Sequence, residues 1–126
     1  MKRVYVAGKY SADNVISVLD NIRVGIKTSA AIMKLGISPF CPWLDYPFQF
    51  FEKLEVKDFY NYSMAWLEVS DEVWVLPDWK NSKGTIAEIK RAKELNIPVR
   101  FLQPGRNRIK FDSRWLVLNI EGGERK

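Results

Sequence analysis

Apolar residues along the 126-residue chain follow two patterns. Short runs rich in β-branched and aromatic residues, bounded by glycine or proline, predict strands. Longer segments with apolar residues three or four positions apart predict helices. The predicted strands are 3–8, a short stretch within 37–47, 71–77, 97–102 and 115–120. The predicted helices are 14–34, 56–69 and 84–95.

Strands that alternate with helices favour a parallel sheet with right-handed crossovers. The unbroken apolar centre of 71–77 suits a strand buried on both faces. We therefore predict a single α/β domain over residues 1–126, with a three-layer, mostly parallel, five-stranded sheet of flavodoxin-like or Rossmann-like type. Residues 103–114 are predicted as a polar loop, and residues 121–126 are expected to fray.

Ligands of such sheets bind beyond the carboxyl ends of the strands. In this chain the predicted edge is built by 8–11, 42–46 and 77–83. Gly8, Lys9 and Tyr10 are therefore candidates for a ligand-binding loop, although an ordinary solvated loop explains them equally well. Asp45 and Asp78 lie at the same edge, where aspartate is also common as a turn residue.

The stretch LPDWKNSKGTIAEIKRA (76–92) carries several features that suit a bound anion. Gly84 allows a ligand to approach the backbone closely, and the helix that begins there presents free N–H groups. Ser82 adds a hydroxyl and Lys83 a positive charge. Trp79 offers a face on which a base could stack. These residues together suit a phosphate, but the full P-loop pattern is missing.

Glu88, one turn inside that helix, has two explanations. The sequence from Thr85 to Glu88 matches the S/T-x-x-E capping box, in which the glutamate only bonds the backbone at the helix start. In the other explanation, the helix holds Glu88 beside a bound sugar. Trp79 likewise either lines a base pocket or covers an apolar edge. The pattern alone leaves both pairs of explanations open.

The composition limits the available chemistry. The chain has no histidine, which excludes Ser-His-Asp and Cys-His nucleophiles and histidine-based metal sites. Acid–base chemistry must therefore use Asp, Glu, Lys, Tyr or Cys. The single cysteine, Cys41, cannot form an intrachain disulfide and is more typical of a small buried hydrophobe than of a nucleophile. We expect no metal and no organic cofactor.

The same composition bears on location and partners. No apolar run approaches the ~20 residues of a membrane span, and lone Cys41 suits a cytoplasmic protein. The net charge of +5 fits an anionic ligand. The basic cluster 106–110 could contact nucleic acid, but such a short cluster is more often a solvated loop or subunit contact. The aromatic segment 42–54 indicates a pocket wall or the interface of a homodimer or larger homo-oligomer.

Two segments together resemble a known superfamily. RVYVAGKYS (3–11) and VSDEVWVLPDWKNSKGTIAEIKRAKELNIPV (69–99) are similar to the nucleoside 2-deoxyribosyltransferase-like superfamily, and most of all to its small uncharacterised phage and prokaryotic members. The superfamily also includes 2'-deoxynucleoside 5'-monophosphate N-glycosidases. The resemblance covers about residues 3–102. Its most specific features are an aromatic first strand, LPxW and SxGxxxE.

The resemblance implies roles for three residues. Glu88 matches the nucleophile that attacks the anomeric carbon, displaces the base and forms a covalent deoxyribosyl-enzyme, which water or a second base resolves. Tyr5 matches the tyrosine that orients this glutamate; without the resemblance it is a strand aromatic of the core. Ser82, six residues before the glutamate, matches a serine that contacts the 5'-phosphate. A nucleoside or, more naturally, a nucleoside monophosphate is the implied substrate.

One position departs from the superfamily pattern. An aspartate that handles the sugar hydroxyl or proton transfer is replaced here by Ser63, and a hydroxyl cannot act as a carboxylate base. Asp45 or Asp78 could substitute for it. The leading hypothesis is cleavage or transfer at the N-glycosidic bond of a deoxynucleoside or its 5'-monophosphate. The alternative is a non-catalytic nucleotide-binding module, and a nucleic-acid accessory protein is a third hypothesis.

Overall fold

The computed structural model describes residues 1–102 and the backbone of two further strands, 107–111 and 114–118. Four strands form a parallel sheet in the order β2-β1-β3-β4. Their bounds are Arg3–Ala7 (β1), Ser38–Phe40 (β2), Glu72–Val75 (β3) and Val99–Phe101 (β4). The predicted α/β class with a parallel sheet is therefore confirmed.

Three α-helices connect these strands, and their bounds lie within two residues of the predicted ones. They are Val15–Met33 (α1), Val56–Leu67 (α2) and Lys83–Glu94 (α3). Two 3₁₀ helices, Pro42–Phe50 and Trp79–Asn81, follow β2 and β3. The first contains Pro47 in its interior, which removes a backbone donor and disfavours a regular α-helix. Within the described residues, no helix is long and apolar enough to cross a membrane.

The sheet separates two apolar clusters, because side chains alternate along each strand. In β1, Val4 and Val6 face the cluster that contains residues of α1. Tyr5 and Ala7 face the other cluster, which contains residues of α2 and α3. This alternation places the Tyr5 side chain on the same side of the sheet as α3.

The prediction of a fifth strand in the parallel sheet is not confirmed. Strand β6 (Arg114–Leu118) pairs instead with β5 (Asn107–Phe111), antiparallel and in a separate two-stranded sheet. The prediction of a polar loop is wrong over 107–111, which forms β5. Ile109 and Phe111 alternate there with basic residues, which is the period-two pattern of a strand. The predicted loop residues 103–106, the predicted frayed end, and the side chains of the basic cluster lie outside the described residues.

Glu72, in β3, is a buried carboxylate with a full set of donors. It is 6% exposed and accepts hydrogen bonds from Lys2 Nζ at 2.7 Å, Arg100 Nε at 2.7 Å and Trp74 Nε1 at 2.9 Å. Burial alone would raise its pKa, but these donors, Arg100 foremost, hold the pKa at about 2. Glu72 is therefore an ionised structural group.

The indole of Trp43 packs directly on the backbone of α1 at Gly25. A Cβ atom added to Gly25 would lie 2.1 Å from Trp43 Cδ2. Trp43 is 1% exposed, and its Nε1 donates to the Lys9 carbonyl oxygen at 2.9 Å. The hydrogen bond to Lys9 ties the loop after β1 to the first 3₁₀ helix.

We predict opposite effects on stability for two Gly-to-Ala changes in helices. Gly25→Ala should lower the free energy of unfolding by about 1–3 kcal/mol, because the new methyl overlaps the Trp43 ring. Gly84→Ala has nothing within 4 Å of the new Cβ and should be neutral or stabilising, by up to about 1 kcal/mol. Urea denaturation measures both changes. Equal effects of the two substitutions would contradict the packing described for Gly25.

Candidate functional site

A cavity of about 670 Å³ opens at the carboxyl edge of the sheet. Three of its walls come from the segments that follow β1, β2 and β3, and a fourth comes from the first turns of α2. Parallel strands deliver their following loops to one edge, so the sheet topology itself assembles these walls. The cavity lies where the sequence places a ligand.

Glu88 and Tyr5 form a hydrogen-bonded pair in the cavity wall. The Tyr5 hydroxyl donates to Glu88 Oε2 at 2.5 Å, and Tyr5 is fully buried behind the carboxyl group. Among the described residues, Glu88 Oε1 has no hydrogen-bond partner, and no fully buried side-chain oxygen lacks one. Oε1 is therefore open to the cavity that Glu88 lines.

Burial controls the ionisation of this pair. It raises the pKa of Glu88 from 4.5 to about 7, and the hydrogen bond from Tyr5 opposes the rise only in part. Burial also raises the pKa of Tyr5 well above its usual range, and the nearby Glu88 carboxylate adds to this rise. Tyr5 therefore stays protonated and remains a donor, while Glu88 titrates near neutral pH.

The helix start after β3 is capped without Glu88. Ser82 is the N-cap of α3, and its Oγ accepts from the Thr85 backbone N–H at 3.2 Å and from the Thr85 hydroxyl at 2.8 Å. A capping box would have required Glu88 to reach back to the backbone at Thr85. The geometry contradicts that explanation, since the carboxyl group bonds Tyr5 instead.

The first turn of α3 forms one end of the cavity. Ser82, Lys83 and Gly84 all line it. A Cβ atom at Gly84 would meet nothing within 4 Å, so the backbone there is open to a ligand. An exposed helix N-terminus combined with a hydroxyl and a lysine suits a phosphate group.

Asp45 forms a second carboxyl–tyrosine pair in the same cavity. It is 3% exposed, and its Oδ1 accepts from the Tyr10 hydroxyl at 2.6 Å. Burial raises the pKa of Asp45, and the Tyr10 hydrogen bond acts in the opposite direction. Burial and the Asp45 carboxylate together raise the pKa of Tyr10 well above its usual range.

Most of the predicted site residues meet at this cavity. Its lining includes Gly8, Lys9, Tyr10, Asp45, Ser82, Gly84 and Glu88. Tyr5 lies behind the lining, in contact with Glu88.

The structure does not bring Asp78 and Trp79 into the cavity. Trp79 packs against Phe101, with ring centroids 5.3 Å apart, and does not line the cavity. Its role as a wall of the base pocket stays a prediction. Asp78 has a positive φ of 70° and bonds Lys9 Nζ at 3.2 Å and the Asn81 side chain. It acts as a turn residue that joins two loops.

Sequence reasoning reached α2 only through the resemblance, at Ser63, and missed the rest of the wall that this helix forms. Phe59 and Ser63, four residues apart on one face of α2, line the cavity, and this helical spacing was a usable signal. Tyr46 lines it too, whereas Phe50 and Phe51 of the same aromatic segment are exposed. The segment is therefore partly a pocket wall.

The cavity carries two cationic side chains, Lys9 and Lys83, and two carboxyl groups, Asp45 and Glu88. Within the part of the chain that the structure describes, no three His, Cys, Asp or Glu side chains come together in a way that could hold a metal ion. The lysines and the α3 N-terminus are the groups that suit an anionic ligand.

The fold and the family can now be stated. The chain has a nucleoside deoxyribosyltransferase-like fold, and it belongs to the family described as a domain of unknown function (DUF7768), whose model matches residues 2–102. The 2-deoxyribosyltransferase of the psychrotolerant bacterium Bacillus psychrosaccharolyticus superposes with a TM-score of 0.62 at 16% identity, covering 86% of this chain and 77% of that one. No curated protein matches the chain.

We predict that Glu88→Gln makes the protein more stable at pH 8. The wild-type pKa is about 7 when folded against an ordinary 4.5, so the folded state binds more protons between these values and wild-type stability falls as pH rises through them. At about 1.4 kcal/mol per pKa unit, the difference amounts to at most roughly 3 kcal/mol. Urea denaturation at pH 4 and pH 8 measures it.

The matched control is Glu94→Gln, on the same helix, where the glutamate is exposed and paired with Arg91. This control should not gain stability at pH 8. A Glu88→Gln protein whose stability relative to wild type is the same at both pH values would contradict the raised pKa.

Proposed function

We propose that this protein cleaves or transfers at the N-glycosidic bond of a deoxynucleoside or deoxynucleoside 5'-monophosphate. The observation that carries the proposal is the Tyr5–Glu88 pair in the cavity wall, with Glu88 Oε1 open to a ligand. The fold that the chain shares with a 2-deoxyribosyltransferase supports it. In this proposal the activity is that of an N-glycosidase or N-deoxyribosyltransferase.

The proposed sites for the phosphate and the sugar lie one after the other along α3. A 5'-phosphate accepts hydrogen bonds from the first turn, at Ser82 and Gly84, with Lys83 and Lys9 supplying positive charge. Glu88 lies one turn further along the same helix and faces the same cavity. A nucleotide bound by its phosphate then has its anomeric carbon beside the carboxylate.

In the first chemical step, ionised Glu88 attacks the anomeric carbon through Oε1 and the base departs. Tyr5 holds Oε2 throughout, because its raised pKa keeps it protonated. The rigid pair fixes the direction of the attacking oxygen, which lowers the entropic cost of reaching the transition state. Water or a second base then displaces Glu88 from the sugar.

A second candidate function is a nucleotide-binding module without turnover. Ser63 favours it, because the hydroxyl lines the cavity at a position where the superfamily pattern has an aspartate. The interaction of the Ser63 side chain with Tyr5 lowers the pKa of that tyrosine, against the larger upward effects of burial and Glu88. Ser63 in this candidate supports the Tyr5–Glu88 pair but transfers no proton to a base.

Three broader expectations stay predictions. They are a single domain over residues 1–126, a homo-oligomer and a cytoplasmic location. Several exposed aromatic side chains of residues 48–51 and of α2 are where a contact between copies is expected. They are Phe48, Phe50, Phe51, Tyr60 and Trp66.

We predict that the protein releases free base from at least one deoxynucleoside monophosphate, as followed by chromatography over a panel of bases. Glu88→Gln should lower the rate at least about a thousandfold, because the attacking group is lost. Glu94→Gln, on the same helix, should retain the wild-type rate. Base release that persists in Glu88→Gln would reject the nucleophile, and nucleotide binding without any release would favour the binding module.

We further predict that Gly84→Ala selectively impairs phosphorylated substrates. The added methyl projects into the open space at the start of α3, where the phosphate is proposed to bind. The ratio of kcat/KM for a deoxynucleotide to that for its deoxynucleoside should fall about tenfold or more, a loss of at least about 1.4 kcal/mol in transition-state binding. An unchanged ratio would place the phosphate elsewhere.

A further inference from the structure

Asp45 is a buried carboxyl group without a cationic partner among the residues that the structure describes. The Tyr10 hydroxyl bonds Oδ1 at 2.6 Å, while Oδ2 has no hydrogen-bond partner among the described residues. Because no fully buried side-chain oxygen of those residues lacks a partner, Oδ2 is open to the cavity. The contrast is Glu72, whose oxygens are bonded by Lys2 and Arg100. A purely structural carboxyl group does not need an oxygen that faces a cavity without a hydrogen-bond partner.

The sheet order places Asp45 across the cavity from Glu88. Asp45 lies on the 3₁₀ helix after β2, and Glu88 lies on the helix after β3. Strand β1 runs between β2 and β3, so the two carboxyl groups approach from opposite sides of its carboxyl end. The base of a nucleoside whose sugar is held at Glu88 then has Asp45, Tyr10 and Tyr46 available within the same cavity.

The other polar groups of the cavity are less suited to move a proton. Among the described residues, Asp45 and Glu88 are the only acidic ones that line it. Ser63 carries an alcohol, which is too weak an acid near neutral pH. Lys9 is paired with Asp78 at the mouth, and the pKa of Tyr10 is raised well above its usual range, chiefly by burial.

We propose that Asp45 is the catalytic acid that protonates the departing base and the base that deprotonates the incoming water or second base. This inference rests on the proposed function. Tyr10 is the positioning residue, because its bond to Oδ1 turns Oδ2 toward the cavity. Burial, which raises the pKa of Asp45 above its ordinary value, favours the protonated form that the first step uses.

The two steps balance as follows. The bond between the anomeric carbon and the base nitrogen breaks, its electron pair goes to the base, and the Asp45 proton is transferred to a ring nitrogen. The bond between the anomeric carbon and Glu88 Oε1 forms. In the second step Asp45 takes a proton from water, the hydroxide oxygen bonds the anomeric carbon, and the Glu88 carboxylate leaves. Both carboxyl groups return to their starting states.

The test compares an ordinary leaving group with one that needs no proton. The substrates are 2'-deoxyguanosine 5'-monophosphate and its 7-methyl derivative, whose cationic base departs as a neutral molecule. Asp45→Asn should lower the single-turnover rate of base release from the first about a hundredfold or more, the usual contribution of a general acid, and from the second by less than about tenfold. Single-turnover base release is measured because it precedes the step in which Asp45 acts as a base. Glu88→Gln should abolish turnover of both.

The matched control is Asp20→Asn, the same change at an exposed aspartate of α1 outside the cavity, which should turn over both substrates at close to the wild-type rate. Equal losses on the two substrates in Asp45→Asn, or no loss on either, would overturn the role of Asp45. Release of base by Glu88→Gln would instead overturn the proposed function itself, so the two failures are distinguishable.

A second variant keeps the inference falsifiable if Asp45→Asn folds poorly. Asp45→Ala leaves a space at the carboxyl position, and added formate supplies a small acid in its place. The single-turnover rate of base release from the unmethylated substrate should rise with formate concentration, while that from the 7-methyl substrate should not. Formate that accelerates neither substrate, in a variant with wild-type thermal unfolding, would overturn the proposal.

Discussion

Glu88 carries a carboxylate that is removed from water and receives no cation from the residues that the structure describes. Taking a charged carboxyl group out of water is costly unless it is paired, and Glu88 receives only the hydroxyl of Tyr5. Its pKa of about 7 expresses that cost. Glu72 shows how the same chain stabilises a carboxylate when only structure is at stake, with Lys2, Arg100 and Trp74 around it. Unsatisfied carboxyl groups in a cavity are typical of functional sites.

The positions of these groups follow from the sheet. Alternation along β1 directs Val4 and Val6 toward the cluster with α1 and leaves Tyr5 facing α3. The parallel order of β2, β1 and β3 then brings the following segments to one edge. Trp43 fixes the loop after β1 through its contact with Gly25 and its bond to Lys9. The candidate site is therefore built at the carboxyl edge of the sheet, on segments that contact the core.

Much of this architecture was readable from the sequence because local patterns determine it. Strand and helix periodicity identified the α/β class, and the glycine and serine near residues 82–84 marked the helix start. The hairpin of β5 and β6 was missed because basic residues concealed its alternation. The contact of Trp79 with Phe101 was not readable, because a sequence does not show which neighbour an aromatic ring covers. The capping explanation of Glu88 could be rejected only with the hydrogen bond to Tyr5, a contact between residues 83 positions apart.

The central claim is that Glu88 Oε1 bonds to the sugar during turnover. The most direct measurement is peptide mass mapping after incubation with a 2'-deoxy-2'-fluoroarabinosyl nucleotide, whose fluorine slows breakdown of a covalent sugar–enzyme intermediate. The account predicts one added sugar phosphate per chain, located on Glu88. Base release from that nucleotide with the sugar attached to a different residue, or with no residue labelled, would contradict it.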